Sequence, residues 1–240
     1  MRRSFSHLSS LAWVAALLAG PLAAPLAAQD PSAARAALRS GEYDDAIREY
    51  RGALRSDAGL VDARIGLMQA LLATGAYEEA VTVGREAPVP GAAANATGEA
   101  LLRLGRLDEA ETAFTEATRV GGPWALTAEA NLAELLFVRG QVDEAMSRFD
   151  RFIDVYNNAN GGMNARDLVA VGRAVTYLGR NEPNLFQDAL RAYDEAAAAD
   201  PGWHEPRVRL GSLFLEKYDS PAAQEEFQAV LAENPRDPTA

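Results

Sequence analysis

The sequence predicts an all-α protein built from stacked helical hairpins, and three observations support this fold class. Residues 101–117 contain the end of one helix, a turn at Gly105 and the start of a second helix. In that second helix Ala110, Phe114 and Ala117 recur at helical spacing on one face. The same pattern occurs again along the chain. Hydrophobic residues make up 48% of the sequence and include many alanines, which suit closely packed helices.

The interval between the repeated turns is close to 34 residues. It is 34 residues from Gly41 to Gly75, 30 from Gly75 to Gly105, and 35 from Gly105 to Gly140. Each turn is followed by small and aromatic residues, namely Tyr43, Ala46, Tyr50 and Ala53, then Tyr77, Ala80, Gly84 and Ala87, then Val142, Ala145, Phe149 and Phe152. One hairpin cannot bury its own apolar faces, so neighbouring hairpins must stack and share a continuous core.

At this spacing the chain resembles the tetratricopeptide repeat family, whose unit is 34 residues and carries small and aromatic residues in this pattern. The resemblance implies a right-handed α-solenoid of about six hairpins. The fifth hairpin has an inserted turn at residues 181–184, before its second helix. The repeat domain is expected to span residues 29–240, with repeats at roughly 30–60, 61–90, 91–125, 126–164, 165–203 and 204–240.

Residues 1–28 are predicted to be a secretory signal peptide. Arg2 and Arg3 precede an apolar run, and small residues end at Ala28 before a polar sequence. The alternative is an uncleaved membrane anchor, because residues 11–28 carry no charge. Gly20, Pro21 and Pro25 would break such a helix, which favours cleavage and an exported protein of the periplasm or cell surface without membrane insertion.

The chain is acidic, with 23 basic and 34 acidic residues and a net charge of −11. Loss of Arg2 and Arg3 with the leader changes this net charge to −13. Such a charge repels nucleic acid. Paired acidic residues at 44–45, 78–79, 108–109 and 143–144 are predicted to lie in the first turns of second helices, where the helix dipole favours carboxylates.

The residues that commonly support catalysis or metal binding are scarce. The chain has no cysteine, and beyond the leader His204 is the only histidine. These counts exclude paired-histidine zinc motifs, thiolate metal sites and cysteine nucleophiles. No glycine cluster is followed by the lysine and hydroxyl residue of a phosphate-binding loop. We therefore predict no catalytic residues, no metal and no cofactor.

The resemblance implies that the first helices of successive repeats line a concave groove. The residues placed toward this groove are Gln69, Asn95, Glu99, Arg103, Asn131, Glu134, Phe137, Arg173, Tyr177 and Arg209. Mixed polar groups around Phe137 and Tyr177 would suit an extended peptide or a partner helix. The alternative is that most of these side chains are merely solvated.

The predicted function is a non-catalytic scaffold that binds a protein or peptide partner in the bacterial cell envelope. One alternative is the repeat portion of a larger exported enzyme, a hydrolase or peptidase, whose catalytic domain lies beyond residue 240. Another is a component of outer-membrane assembly. The last helix is expected to leave Phe227 and Val230 partly uncovered, so that a partner or a further segment covers this end.

Overall fold

The computed structural model describes residues 31–180 and 182–240. Within these ranges twelve α-helices follow one another and no strand occurs. They are α1 (Ser32–Arg39), α2 (Tyr43–Ser56), α3 (Val61–Ala73), α4 (Tyr77–Arg85), α5 (Pro90–Arg103), α6 (Leu107–Val120), α7 (Ala125–Val138), α8 (Val142–Asn158), α9 (Ala165–Leu178), α10 (Phe186–Ala199), α11 (Glu205–Glu216) and α12 (Ser220–Glu233). The predicted signal peptide lies outside the described residues.

Each helix packs against the next, and the pairs form six hairpins. The first helices of neighbouring hairpins also contact one another, α3 with α5, α5 with α7, α7 with α9, and α9 with α11. The odd-numbered helices therefore share one wall of the stack, and the even-numbered helices form the other. The predicted all-α solenoid is confirmed.

Turn chemistry explains where the helices begin and end. Gly41, Gly75, Gly105 and Gly140 each adopt a positive φ in the turn between the two helices of a hairpin, as the repeated pattern predicts. Each of the four acidic pairs lies in the first turn of a second helix. The inserted turn of the fifth hairpin ends in a short 3-10 helix, Pro183–Leu185, so α10 begins only at Phe186.

The core between helices consists of small residues under aromatic rings. Phe114 is fully buried, and a Cβ atom added at Gly98 of α5 would lie 2.5 Å from its ring. Gly172 has the same relation to Tyr193, at 2.5 Å. Glycine therefore lets the first helix approach the ring of the second. The main cluster of buried apolar side chains extends from α1 to α11, as the stacking argument requires.

The two ends of the described chain meet. The turn between α1 and α2 contacts residues of the last two hairpins, with Arg39 paired to Asp200 at 2.8 Å. Tyr43 accepts a hydrogen bond of 3.0 Å from Asn234, which follows α12. The solenoid of described residues therefore curves round until its first hairpin touches its last.

One expectation about the C-terminal end is wrong. Val230 is fully buried, whereas the sequence pattern suggested that it would be partly uncovered; Phe227 is half-buried as expected. Residues 234–237 fold back onto the first hairpin, with the hydroxyl of Tyr43 donating to the carbonyl of Arg236 at 3.3 Å. The residues after α12 therefore contact the first hairpin of the same chain.

Candidate functional site: the concave face

The ten residues predicted to line the groove all lie on odd-numbered helices. They are Gln69 on α3, Asn95, Glu99 and Arg103 on α5, Asn131, Glu134 and Phe137 on α7, Arg173 and Tyr177 on α9, and Arg209 on α11. Hydrogen bonds connect five of them into one network, which we call the polar ladder: Asn95, Glu99, Asn131, Glu134 and Arg173.

The first part of the polar ladder joins α5 to α7 through the amide groups of Asn95 and Asn131. Asn131 Nδ2 donates to Asn95 Oδ1 at 2.9 Å and to Glu99 Oε1 at 3.1 Å. Asn95 Nδ2 donates to the same oxygen of Glu99 at 2.9 Å. Helical spacing places Asn95 and Glu99 on one face of α5, four residues apart. Both amides therefore converge on one carboxylate.

Arg173 extends the polar ladder from α7 to α9. Its Nη2 donates to Asn131 Oδ1 at 2.6 Å, and its Nε donates to Glu134 Oε1 at 2.8 Å. A guanidinium binds a carboxylate and an amide oxygen together because its donors form a rigid fork. Asn95, Asn131 and Arg173 are 3%, 7% and 7% exposed, so the alternative that these groups are merely solvated is wrong for them.

The two carboxylates of the polar ladder respond differently to burial. Burial raises the pKa of Glu99 above its ordinary value, against the hydrogen bonds from Asn131 and Asn95 and the charge of Arg173. Burial also pushes the pKa of Glu134 upward, but the adjacent guanidinium of Arg173 outweighs it and leaves this pKa below its ordinary value. The two glutamates therefore differ in the direction of their pKa shift because only Glu134 is paired directly with Arg173.

Arg209 pairs with Glu205, a residue that the sequence-based prediction missed. Arg209 Nε donates to Glu205 Oε1 at 2.7 Å, one turn away on α11. Burial opposes ionisation of Glu205, but the charges of Arg209 and Arg173 leave its pKa below the ordinary value. The spacing of Glu and Arg four residues apart is a recognisable helical ion pair and could have revealed it.

Side chains of the third and sixth hairpins act on one another across the concave face. The charge of Glu205 on α11 contributes to the raised pKa of Glu99 on α5, after the larger effect of burial. Arg103, also on α5, is among the cations that lower the pKa of Glu205. The charged groups of α5 and α11 are therefore electrostatically coupled.

Phe137 and Tyr177 form the apolar end of the face. Their rings meet edge to face with centroids 5.1 Å apart, and Tyr177 stacks on the buried Phe149 at 4.6 Å. The guanidinium of Arg180 lies 4.6 Å from the Tyr177 ring and 5.3 Å from the Phe137 ring. We call Phe137, Tyr177 and Arg180 the aromatic cluster. Half-buried rings beside an exposed arginine are the side chains that most often anchor a protein interface.

Val138, which follows Phe137 at the end of α7, is 75% exposed. Arg180 was not among the predicted groove residues, because it follows α9 and its position over two rings depends on the packing of α7 against α9. Gln69 is half-buried on α3 and Arg103 is exposed at the end of α5. These two predicted residues are not joined to the polar ladder by the hydrogen bonds described above.

Other kinds of site find little support in the described part of the chain. Within residues 31–180 and 182–240, no group of three or more histidines or carboxylates is arranged to hold a metal ion. No helix in these ranges is both long and apolar enough to cross a membrane. What the concave face offers is therefore a polar ladder whose groups bind one another and an aromatic cluster that is partly exposed.

Comparison with known families agrees with this architecture. Residues 37–88 match one family profile described as tetratricopeptide repeat, and residues 95–159 match a second with the same description. Both matched segments therefore carry tetratricopeptide repeats (TPRs). No curated protein matches the sequence of this chain.

Two solved structures, TTC0263 and human IFIT1, share the fold at low sequence identity. TTC0263, a thermophilic TPR protein of Thermus thermophilus, is 21% identical with a TM-score of 0.55, over 79% of this chain and 100% of that one. Human IFIT1, crystallised as a dimer with PPP-AAAA, is 15% identical with a TM-score of 0.52, over 80% of this chain and 46% of that one. YrrB, described as a TPR protein with an unusual peptide-binding site, is 17% identical with a TM-score of 0.39, over 78% of this chain and 92% of that one.

Proposed function

We propose that this TPR protein is a non-catalytic scaffold of the bacterial cell envelope that binds a peptide segment or helix of a partner protein at the aromatic cluster. The observation that supports this site is a contrast within the concave face. The polar ladder uses its donors and acceptors internally, whereas the rings of Phe137 and Tyr177 remain half-exposed beside Arg180. A partner gains more by covering partly exposed rings than by displacing paired charges.

The anchor role is tested by affinity capture from an envelope extract. In the Phe137→Ala/Tyr177→Ala variant we expect loss of capture while helicity, followed by circular dichroism, stays unchanged. Arg180→Ala removes the stacked guanidinium and leaves both rings in place, so capture is expected to weaken less. Tyr218→Ala is the matched aromatic control, because Tyr218 is 93% exposed in the turn between α11 and α12. Capture by the double variant at the level of the native protein would remove the aromatic cluster from the proposal.

The envelope location rests on the proposed signal peptide at residues 1–28 and on the acidic mature chain. Export with cleavage after Ala28 predicts a periplasmic or surface protein that begins at Gln29 and is not inserted in a membrane. Mass spectrometry of the N-terminus of the fractionated protein tests this. Recovery of the intact leader in the membrane fraction would favour an anchor instead.

A further inference from the structure

The contact between the first and last hairpins is a specific structure, which we call the clasp. It joins Arg39, Gly41 and Tyr43 to Asp200, Asn234 and Arg236. Arg39 Nη2 donates to both carboxylate oxygens of Asp200, at 3.1 and 2.8 Å. These residues lie 161 to 193 positions apart in the chain.

The centre of the clasp is buried and closely fitted. Tyr43 and Asn234 are 4% and 3% exposed, and the amide of Asn234 donates to the Tyr43 hydroxyl at 3.0 Å. The guanidinium of Arg236 lies 5.5 Å from the centre of the Tyr43 ring. A Cβ atom added at Gly41 would lie 2.0 Å from Asn234 Oδ1, so this position accepts only glycine while the clasp is closed.

The clasp also differs from the contacts between neighbouring hairpins. Neighbours pack along whole helices with alanine and aromatic side chains. The clasp instead joins residues at helix ends and in the adjoining turns. Its ion pair, Arg39 with Asp200, has side chains 42% and 39% exposed, so salt screens it. A small polar contact of this kind is expected to open more readily than the apolar packing between neighbouring hairpins.

A closed clasp restricts access to the concave face. The first hairpin meets the last two, and the polar-ladder residues Asn95, Asn131 and Arg173 on the face are only 3%, 7% and 7% exposed. A partner segment therefore cannot approach this face from the side where the ends of the stack are joined.

We propose that the clasp is a gate, and that the first and last hairpins must separate before a partner segment enters the concave face from the side. This inference rests on the proposed function only for the identity of the face. Opening of the clasp itself can be measured without any partner. Separation would break the Tyr43–Asn234 and Arg39–Asp200 contacts and leave the packing within each hairpin intact.

Two equivalent glycines provide a matched test of the gate. Gly41 and Gly75 both have φ +78°, but a Cβ atom at Gly75 has no neighbouring atom within 4 Å. Gly41→Ala and Gly75→Ala therefore introduce the same backbone strain, and only Gly41→Ala also forces a clash in the clasp. The chain has no cysteine, so dyes on Ser40→Cys and Pro201→Cys, two exposed positions beside the clasp, report the distance between the ends.

In this experiment we expect Gly41→Ala to shift the distance between the dyes to longer values, and Gly75→Ala to leave it as in the native protein. A rise in salt concentration is expected to shift the native protein in the same direction as Gly41→Ala, by a smaller amount. An unchanged distance in Gly41→Ala would overturn the proposed opening.

Reversible locking tests whether opening matters for binding. A bis-maleimide with a reducible disulfide spacer, joined to the same two cysteines, holds the ends together. We expect capture from the envelope extract to fall on cross-linking and to return on reduction. Equal capture in both states would overturn the gate while leaving the proposed function in place. If the proposed function is wrong, even the protein without the cross-link captures no partner. The dye distances still show in that case whether the clasp opens.

Discussion

The interior between neighbouring helices and the concave face with its clasp are built in opposite ways. Between helices the same contact is repeated, for example Phe114 over Gly98 and Tyr193 over Gly172. On the concave face each contact occurs once, and residues as far apart as Asn95 and Arg173 belong to one network. Repeated apolar contacts supply the stability of each hairpin, whereas single polar contacts depend on how the hairpins are arranged around the curve.

Truncation of a core ring is expected to have the largest effect. Phe114 is completely buried, so Phe114→Ala should lower the free energy of unfolding by about 4 kcal/mol, from lost apolar burial and the cavity left behind. Chemical denaturation measures it. Phe227→Ala, at a half-buried ring in the last hairpin, is expected to cost clearly less. Equal losses for the two rings would contradict the distinction between the core and the end of the stack.

The second-largest loss in the free energy of unfolding is expected in the polar ladder. Arg173→Met removes the partner of Glu134 and the donor to Asn131, and we expect a loss of about 2 kcal/mol because a partly buried carboxylate is left unpaired. Arg119→Met is the control, since Arg119 pairs with Glu116 on the exposed surface and its loss should lower the free energy of unfolding clearly less. If both substitutions change the denaturation midpoint equally, the hydrogen bonds of Arg173 stabilise the fold no more than an exposed ion pair does.

A smaller loss is expected at the clasp. Tyr43→Phe keeps the ring and removes the hydroxyl that accepts from Asn234, so the free energy of unfolding should fall by about 1 kcal/mol. Tyr156→Phe removes a hydroxyl bonded to the exposed carboxylate of Glu195 and should have a weaker effect. A larger loss for Tyr156→Phe would mean that the buried hydrogen bond does not stabilise the clasp.

The smallest expected effects depend on pH and differ in sign between two glutamates. Because the pKa of Glu99 is raised in the folded protein, its carboxyl favours folding most at low pH, and this contribution is lost as the pH rises through the raised pKa. Glu99→Gln should therefore stabilise the protein at neutral pH relative to the native chain, with a smaller gain in acid.

Glu134 provides the opposite case. Its pKa is lowered overall, so its ionised form stabilises the fold above the ordinary glutamate range and loses this effect as the pH falls through the lowered pKa. Glu134→Gln should destabilise the protein at neutral pH, by less in acid. Denaturation curves at several pH values compare the two variants, and effects of the same sign would contradict a dominant effect of the direct pairing between Arg173 and Glu134.

Much of the fold could be predicted from the sequence because its signals are local. Gly105, Ala110 and Phe114 lie within ten residues of one another. They predict, in that order, a turn, a close contact between helices and an aromatic ring that fills the space beside it. The late start of α10 at Phe186 also follows from a local insertion. The residues predicted for the groove all lie on first helices of the hairpins, and their role in binding stays a prediction.

The partners of those groove residues could not be predicted. Arg173 meets Asn131 and Glu134 because α9 packs beside α7, and the repeat pattern does not specify which polar groups face each other. Arg180 was missed because its contact with Phe137 and Tyr177 depends on that same packing. The return of residues 234–237 to the first hairpin was also missed, because the hydrogen bond from Tyr43 to Arg236 joins positions 193 residues apart.

The sequence by itself determined the helices, their turns and the order in which they stack, because each of these depends on residues less than about one repeat apart. The tertiary structure alone decided that the stack curves until Tyr43 touches Asn234, and that Arg173 finds its partners on α7. Small rotations between successive hairpins add up along a solenoid. The curvature that joins the ends is therefore a property of all the hairpins together.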